Sequence, residues 1–316
     1  MLTLDHVSKI YKVGTFGGTD LAAVKDVSFN VDAGQVVSLI GESGSGKTTI
    51  GRMILRLTQA TRGTITFDGQ DVAKLPRRGY YRLVQGVFQD PFSSYNPIFK
   101  ADHVFGMIRS VYFRGMPNAE WDARVEAALE AVGLDPDQVL HKYPHQLSGG
   151  QLQRLLIARA LLLDIRMLVA DEIISMLDAS TRIDVLNLLG DLKARGLGIL
   201  FITHDLSLGY YSSQRTLILL RGQIVEMGAT EKVYGNPTHP YTKMLIGSVP
   251  LLHKKWRQVE QELETSAVPV ADECTYHALH PEFRGDGARA AARPALVEVE
   301  EDHFVGCIRP YLKGTC

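Results

Sequence analysis

Gly41-Glu42-Ser43-Gly44-Ser45-Gly46-Lys47-Thr48 decides how this chain is read. The stretch has the form G-x-x-x-x-G-K-[ST], a loop built to hold a polyphosphate. Its glycines let consecutive backbone N–H groups turn inward on phosphate oxygens. Lys47 is placed to reach the β- and γ-phosphates, and the Thr48 hydroxyl to ligate Mg²⁺. Thr49 completes the candidate nucleotide-binding set with Gly41, Ser43, Gly44, Ser45, Gly46, Lys47 and Thr48. The flanks agree with this reading. Gln35-Val36-Val37-Ser38-Leu39-Ile40 reads as a buried strand. Thr48 to Leu57 reads as a helix whose positive N-terminal end would face the phosphates.

Around this loop the chain is an ordinary globular sequence. Its 316 residues suggest about two domains and suffice for a large core. A hydrophobic fraction of 45% is typical of globular proteins. The formal net charge of −1 argues against a nucleic-acid binder that works by bulk charge. The start, Met1-Leu2-Thr3-Leu4-Asp5-His6, has no basic region followed by an apolar stretch, so no secretory signal is expected. No uncharged apolar run is long enough to span a bilayer; Leu155 to Leu177 is broken by Arg159, Asp164, Arg166, Asp171 and Glu172. Three cysteines, Cys274, Cys307 and Cys316, are too few and too late for a disulfide scaffold, and a reducing cytoplasm is the expected setting.

Strand signals dominate the first 85 or so residues. Val24 to Val31 alternates apolar and polar, and Gly63 to Phe67 runs into an Asp68-Gly69 turn. From about 100 to 162 the character changes: Trp121 to Val132 has helical periodicity, and Gly133 is a stop. Met167 to Ala170 and Ile199 to Thr203 are short apolar runs with a helix near Arg182 to Arg195 between them. Strand, helix, strand at that spacing predicts a parallel α/β sheet. Thr216 to Leu220, Arg221-Gly222 and Gln223 to Met227 predict a terminal hairpin. After about residue 236 the pattern weakens, and Gly285 to Pro294 reads as a loose loop.

Five further elements follow the loop in order. Gln89 ends the strand-like run Val84 to Phe88. Leu147-Ser148-Gly149-Gly150-Gln151 opens a helix through Arg154 and Ala160. Asp171-Glu172 ends an apolar strand, Ser175-Met176-Leu177-Asp178 comes just after, and His204-Asp205 ends the next strand. Singly these are weak: a Gln or His at a strand end is usually a surface residue, and an acidic pair there is often a helix cap. Their order makes the signal specific.

With these residues the chain resembles the ATP-binding cassette ATPases over residues 1 to about 235. The resemblance implies an α/β fold: a P-loop NTPase (RecA-like) core with an N-terminal antiparallel β subdomain, a helical signature subdomain at about 90–162, and an extension over 236–316. It also implies residue roles. Gln89 resembles the glutamine that senses Mg²⁺ and the attacking water. Asp171 resembles the carboxylate that holds Mg²⁺ through water, Glu172 the general base, and His204 the switch histidine at the γ-phosphate. Tyr11 sits where the family stacks an aromatic on adenine. Ser148, Gly149, Gly150 and Gln151 match the family signature, which in the family faces the nucleotide of an opposite subunit, and Asp178 joins the candidate nucleotide-binding set. Two cassettes would sandwich ATP head to tail. The chemistry suits those residues: charge on three phosphoryl oxygens must be stabilised while water is aligned behind the phosphorus. Two positions depart from the family. Ile173 stands where it usually has proline, and Met176 where it usually has alanine. Neither change removes a catalytic group.

Two stretches narrow the branch. Gln89-Asp90-Pro91-Phe92-Ser93-Ser94-Tyr95-Asn96-Pro97 is similar to the Q-D-P-x-x-S-L-N-P of oligopeptide/dipeptide-type importers, with Tyr95 for leucine. Asn236 to Leu245, containing His239-Pro240-Tyr241-Thr242, resembles the tail motif of the same branch. That resemblance implies a peripheral subunit on the cytoplasmic face of the cell membrane. It implies a second, homologous ATPase subunit, two membrane-spanning permease subunits and an extracytoplasmic solute-binding protein, with no nucleic-acid partner. Residues 92 to 115 lie where the family docks a permease coupling helix. The resemblance implies an oligopeptide or an oligosaccharide as the solute. A non-transport cassette ATPase is the alternative, but the chain carries neither tandem cassettes nor a coiled-coil insertion. A nucleotide-binding-only subunit would lose Glu172 or His204, and both are present.

Relatives in this branch also carry a C-terminal cysteine motif that in some holds an iron–sulfur cluster. Cys274-Thr275-Tyr276 and His303-Phe304-Val305-Gly306-Cys307 match its two ends; His280 replaces the second cysteine, a middle one is absent and Cys316 is extra. Cys274, His280, Cys307 and Cys316 form a mixed candidate set. With two matched positions changed, the favoured expectation is small buried cysteines held by packing.

Overall fold

The structure, a computed structural model, describes residues 1–14, 18–248 and 295–307. In chain order it forms β1 (Leu2–Val13), β2 (Thr19–Val31), β3 (Val36–Ile40), α1 (Lys47–Ile54), β4 (Arg62–Phe67) and β5 (Gln70–Asp71). Next come α2 (Arg77–Leu83), β6 (Val84–Val87), α3 (His103–Tyr112), α4 (Asn118–Glu130), α5 (Pro136–Val139), α6 (Gly149–Leu161), β7 (Met167–Asp171) and α7 (Ala179–Ala194). The chain continues with β8 (Gly198–Thr203), α8 (Leu206–Ser212), β9 (Arg215–Leu220), β10 (Gln223–Ala229), α9 (Thr230–Gly235), α10 (Pro240–Gly247), β11 (Leu296–Glu300) and β12 (His303–Gly306). Two compact units result. One comprises Met1–Val31, Val36–Asp71 and the described part of Phe201–Cys316; the other comprises Asp32–Gln35 and Val72–Leu200.

The first unit holds an antiparallel sheet of order β2-β1-β4-β5, in which β1 pairs with both β2 and β4. Alternation in these strands buries Leu2, Leu4, Phe29 and Val31. Its second sheet runs β11-β12-β10-β9-β3. β3 lies parallel to β9, with Ile40 opposite Ile218, and all five β3 residues are buried. Burial of both faces explains their unbroken apolar run. Arg221 and Gly222 both have positive φ, which closes the tight β9–β10 hairpin.

In the second unit β6 lies parallel to β7, with Val87 opposite Ala170, and every β7 residue is buried. Helices α3, α4 and α6 account for the change of character after residue 100. Phe113 packs on Trp121 with ring centroids 5.7 Å apart. Asp164 receives Arg82 at 2.5 Å and Arg124 at 2.8 Å. These partners, Arg124 first, hold its carboxyl below the usual range.

The expected elements thus form at or within a few residues of their sequence bounds. The weak signal after residue 236 conceals order: α10 and the β11–β12 hairpin both form. Gly285 to Pro294 lies outside the described residues.

Candidate functional site

The first unit builds the phosphate loop at the C-terminal end of β3. Parallel strands β3 and β9 end side by side, which is where open α/β sheets present ligands. Gly41 leaves β3 against the chain: a Cβ there would lie 2.2 Å from the Leu219 carbonyl oxygen. Gly46 has φ +109, and its Cβ would lie 2.4 Å from the Ala23 carbonyl oxygen. Only glycine fits both positions. The loop is tied underneath, where Ser45 N–H donates to the Glu42 carbonyl and Gly222 N–H to the Ser45 carbonyl. Lys47 is buried, and its Nζ donates to the carbonyl oxygens of Gly41 at 2.7 Å and Glu42 at 2.8 Å. Ser45 Oγ is buried and has no hydrogen-bond partner among the described residues. A glycine cradle, an enclosed ammonium and an orphaned hydroxyl at a helix N-terminus fit a nucleotide polyphosphate. Thr48 is exposed on the first turn of α1, as a hydroxyl meant for Mg²⁺ must be, and Thr49 is half-buried behind it. Ser43 and Gly44 are exposed at the loop tip.

Two more expected residues lie in this unit. His204 follows the C-terminal end of β8 and is exposed; Asp205 beside it caps α8 by accepting from Leu208 N–H at 3.2 Å. Tyr11 is half-buried in β1 opposite Leu21 of β2, and Lys9 Nζ sits 4.9 Å from its ring centroid.

The second unit carries the expected Asp171, Glu172 and Gln89. Asp171 is the buried last residue of β7. Gln89 is exposed just past β6, the strand parallel to β7, so both residues leave the C-terminal ends of neighbouring strands. Glu172 has φ +51, a left-handed backbone uncommon outside glycine. Ser175 fixes that turn, its N–H and Oγ both donating to the Glu172 carbonyl. The turn swings the Glu172 backbone out of strand geometry immediately beyond Asp171. Ile173 is buried, whereas Met176 is 61% exposed.

Ser148 caps α6. Its Oγ accepts from Gln151 N–H at 3.2 Å, and Gln151 Oε1 accepts from Ser148 N–H at 2.9 Å. Gly149 packs near the Phe92 ring, and a Cβ on Gly150 would lie 2.6 Å from Thr181 Cγ2. Asp178 caps α7, accepting from Ser180 Oγ at 2.6 Å, Thr181 N–H at 3.1 Å and Thr181 Oγ1 at 2.8 Å. These bonds, Ser180 first, hold its carboxyl far below the usual range.

Of the C-terminal set, Cys307 is buried and disulfide-bonded. Cys274, His280 and Cys316 lie outside the described residues. One contact escaped the sequence reading: Tyr241 of α10 reaches Glu42 of the phosphate loop. The tail motif around Tyr241 was the only signal, and it marked lineage rather than contact.

Comparisons with known proteins agree with this geometry. The family model described as "ABC transporter" matches residues 24–175, and "Oligopeptide/dipeptide transporter, C-terminal region" matches residues 225–279. A putative peptide import ATP-binding protein of Brucella ovis is 41% identical over 318 residues, covering 98% of each chain. The oligopeptide transport ATP-binding protein OppF of Bacillus subtilis is 38% identical over 299 residues, covering 92% of each. The ATP-binding cassette MJ0796, solved as a dimer in a post-hydrolysis state bound to ADP and Pi, superposes with a TM-score of 0.65 at 29% identity. That match covers 73% of this chain and 99% of that one. With a P-loop NTPase fold, the phosphate loop and near-full-length relatives in agreement, this chain belongs to the ABC transporter ATPases, in their oligopeptide/dipeptide import branch.

Proposed function

We propose that this ATPase energises the import of oligopeptides, working as a peripheral subunit on the cytoplasmic side of a membrane permease. The observation that carries the membrane-docking part is a set of exposed apolar side chains within residues 92 to 115. Phe92, Ile98, Phe99, Met107 and Val111 are each 44% exposed or more. Exposed apolar side chains gathered in one stretch of sequence suit a surface that a partner covers. It falls where the family resemblance expects a permease coupling helix. The peptide cargo is supported by relatives named for peptide import over nearly their whole length. No helix among the described residues is long and apolar enough to cross a membrane, which is consistent with separate permease subunits. A distinct partner ATPase and an extracytoplasmic binding protein complete the proposed assembly.

In the proposed reaction Gly41 and Ser43 to Thr49 hold the phosphates and Lys47 offsets charge on the transferred group. Thr48, Gln89 and, through water, Asp171 are the residues that would hold Mg²⁺, which would supply positive charge to the phosphates. Glu172 orients and deprotonates the attacking water, His204 contacts the γ-phosphate, and Tyr11 stacks on adenine. Ser148 to Gln151 and Asp178 serve the nucleotide of the opposite cassette. On this reading, residues 1–235 are the ATPase domain and 236–316 its extension.

Glu172→Gln tests the chemistry. It keeps shape and hydrogen bonding but removes the base, so turnover in the assembled complex should fall about 10²–10⁴-fold with Mg·ATP binding intact. Lys47→Ala should instead weaken nucleotide binding. A Glu172→Gln complex that hydrolyses ATP at the wild-type rate would sink the assignment. The cargo is tested in proteoliposomes: peptide-loaded binding protein should stimulate hydrolysis. Stimulation by oligosaccharide alone would replace the peptide reading.

A further inference from the structure

We infer that Tyr241 is a positioning residue of the phosphate loop, so that the C-terminal segment is part of how the nucleotide site is held. The inference rests on the nucleotide-site reading above. Tyr241 stands in the first turn of α10, 199 residues from the loop residue it meets. Its ring is 1% exposed, in a cluster with Ile40, Leu206, Ile218, Leu220, Val225 and Val233. Ile40 is the last residue of β3, directly before Gly41. The ring therefore packs on the strand that delivers the loop.

The hydroxyl then grips the loop itself. It accepts the Glu42 N–H at 3.2 Å and is also hydrogen-bonded to the Glu42 carboxylate. Burial pushes the phenol up to about 12, so it remains a neutral donor at physiological pH. Lys47 Nζ takes hold of the same residue through its carbonyl oxygen. Glu42 is thus held at both backbone ends: its N–H by Tyr241, its C=O by the ammonium meant for phosphate. Freeing the N–H end would let Glu42 rotate and carry off one of the carbonyls that aim Lys47.

Tyr241 is itself anchored. His239 Nδ1 accepts the Tyr241 N–H at 3.1 Å. The Glu226 carboxylate of β10 accepts the N–H groups of Thr238 at 2.7 Å and His239 at 2.9 Å. It also binds His303 Nε2 of β12 at 2.8 Å, while His303 Nδ1 meets Glu300 at 2.8 Å. The Glu226 and His303 side chains are fully buried. A carboxylate that collects two backbone donors and an imidazole fixes where α10 begins. The line from the β10–β12 ladder to the phosphate loop consists of contacts, not adjacency in sequence.

The test is a double-mutant cycle on the full chain, reading Kd for Mg·ATP and Mg·ADP beside the nucleotide-free melting temperature. Tyr241→Phe keeps the ring in its cluster and removes only the hydroxyl. Loss of one hydrogen bond to the loop should weaken Mg·ATP binding about 3- to 10-fold. Glu42→Ala, at an exposed side chain, removes the carboxylate partner but keeps the amide and should weaken binding less. The double variant should bind no worse than Tyr241→Phe, because both act through one contact. A purely structural tyrosine would lower the melting temperature and leave the Kd of the folded protein within twofold of wild type, and that result overturns the inference. So do additive losses in the double variant. Lys47→Ala is the separate control: if it binds Mg·ATP as wild type does, the nucleotide site itself is misplaced.

Discussion

The phosphate loop and the signature loop look alike in sequence and are built in opposite ways. Each puts serine and glycine at the start of a helix. At α1 the capping position is Gly46, in the left-handed region and with no side chain to cap the helix. At α6 the capping position is Ser148, and it forms a reciprocal box with Gln151. The first helix therefore presents its N-terminal end without a side-chain cap, while the second already satisfies donors from within. The glycines differ as well. Gly41 and Gly46 exist for backbone close approach and positive φ, whereas Gly150 makes room for Thr181 of the next helix. An anion arriving at α1 finds a formed cradle; one arriving at α6 must compete with Ser148 for the Gln151 amide. One loop is built to bind alone and the other to bind late, which suits a site shared between two cassettes.

The largest predicted effect breaks the first loop. Gly46→Ala places a Cβ 2.4 Å from the Ala23 carbonyl at a φ of +109. Backbone strain and overpacking each cost about 1–3 kcal/mol. Denaturant unfolding should show that loss, and Mg·ATP titration should show binding reduced more than tenfold. Gly44→Ala is the internal comparison: its φ is +79 but nothing lies within 4 Å, so only the strain should remain. Equal affinities for the two variants would mean the cradle is not closed by Ala23.

Acid should loosen one loop and spare the other. Burial lowers the His239 pKa from 6.5 to about 4. The unfolded chain then takes a proton that the folded chain refuses, so stability is full above about pH 6.5 and falls as pH drops through about 4. The ceiling is on the order of 3 kcal/mol. His303 runs the other way. Flanked by Glu226 and Glu300 it is raised despite burial, and its contribution is full below its unfolded value and fades as pH climbs through the folded one. The anchor of α10 should be firmest near neutrality. Hydrogen-exchange protection at Tyr241 and Glu42 should drop between pH 7 and pH 4.5, while protection at Gln151, whose cap has no titrating group, stays constant. Equal losses at both would show general unfolding rather than a local anchor.

The same contrast explains what the sequence made legible. The phosphate loop and signature are local: each is a run of a few residues whose spacing is its geometry, and each helix began where its pattern placed it. β3, β7 and β8 were visible because burial on both faces leaves an unbroken apolar run. The last strands were hidden for the reverse reason. β11 and β12 are short and carry Glu298, Glu300, Glu301 and Asp302 around their turn. β12 is held by pairing with β10 and by the buried His303–Glu226 contact, and β11 by pairing with β12; no window of sequence contains both His303 and Glu226. Met176 and Ile173 were read as departures that remove no catalytic group; the structure buries Ile173 and exposes Met176. The Tyr241–Glu42 contact could not be read at all: a tyrosine in a Pro-rich helix start is common, and only folding brings it to the loop.

Gly150→Ala separates packing from ligand binding in the signature. Its Cβ would meet Thr181 Cγ2 at 2.6 Å, but a side-chain methyl can give way where the Ala23 carbonyl cannot. The expected cost is about 1–3 kcal/mol in stability, with Mg·ATP affinity of the isolated chain unchanged. Affinity that fell with stability would mean that the signature already contributes to binding without a second cassette.

The smallest effect is the most discriminating. Ser148→Ala removes the oxygen that accepts the Gln151 N–H at 3.2 Å and leaves Gln151 Oε1 on the residue 148 amide. Losing an N-cap costs about 1 kcal/mol, which should appear as a shift of roughly 2–4 °C in melting temperature. Nucleotide binding by the isolated chain should not move. In the assembled complex hydrolysis should fall by more than that stability loss explains, because the same hydroxyl is expected to turn from its helix to the partner's nucleotide. If turnover in the complex follows stability alone, Ser148 is only a cap, and the two loops differ in packing but not in when they bind.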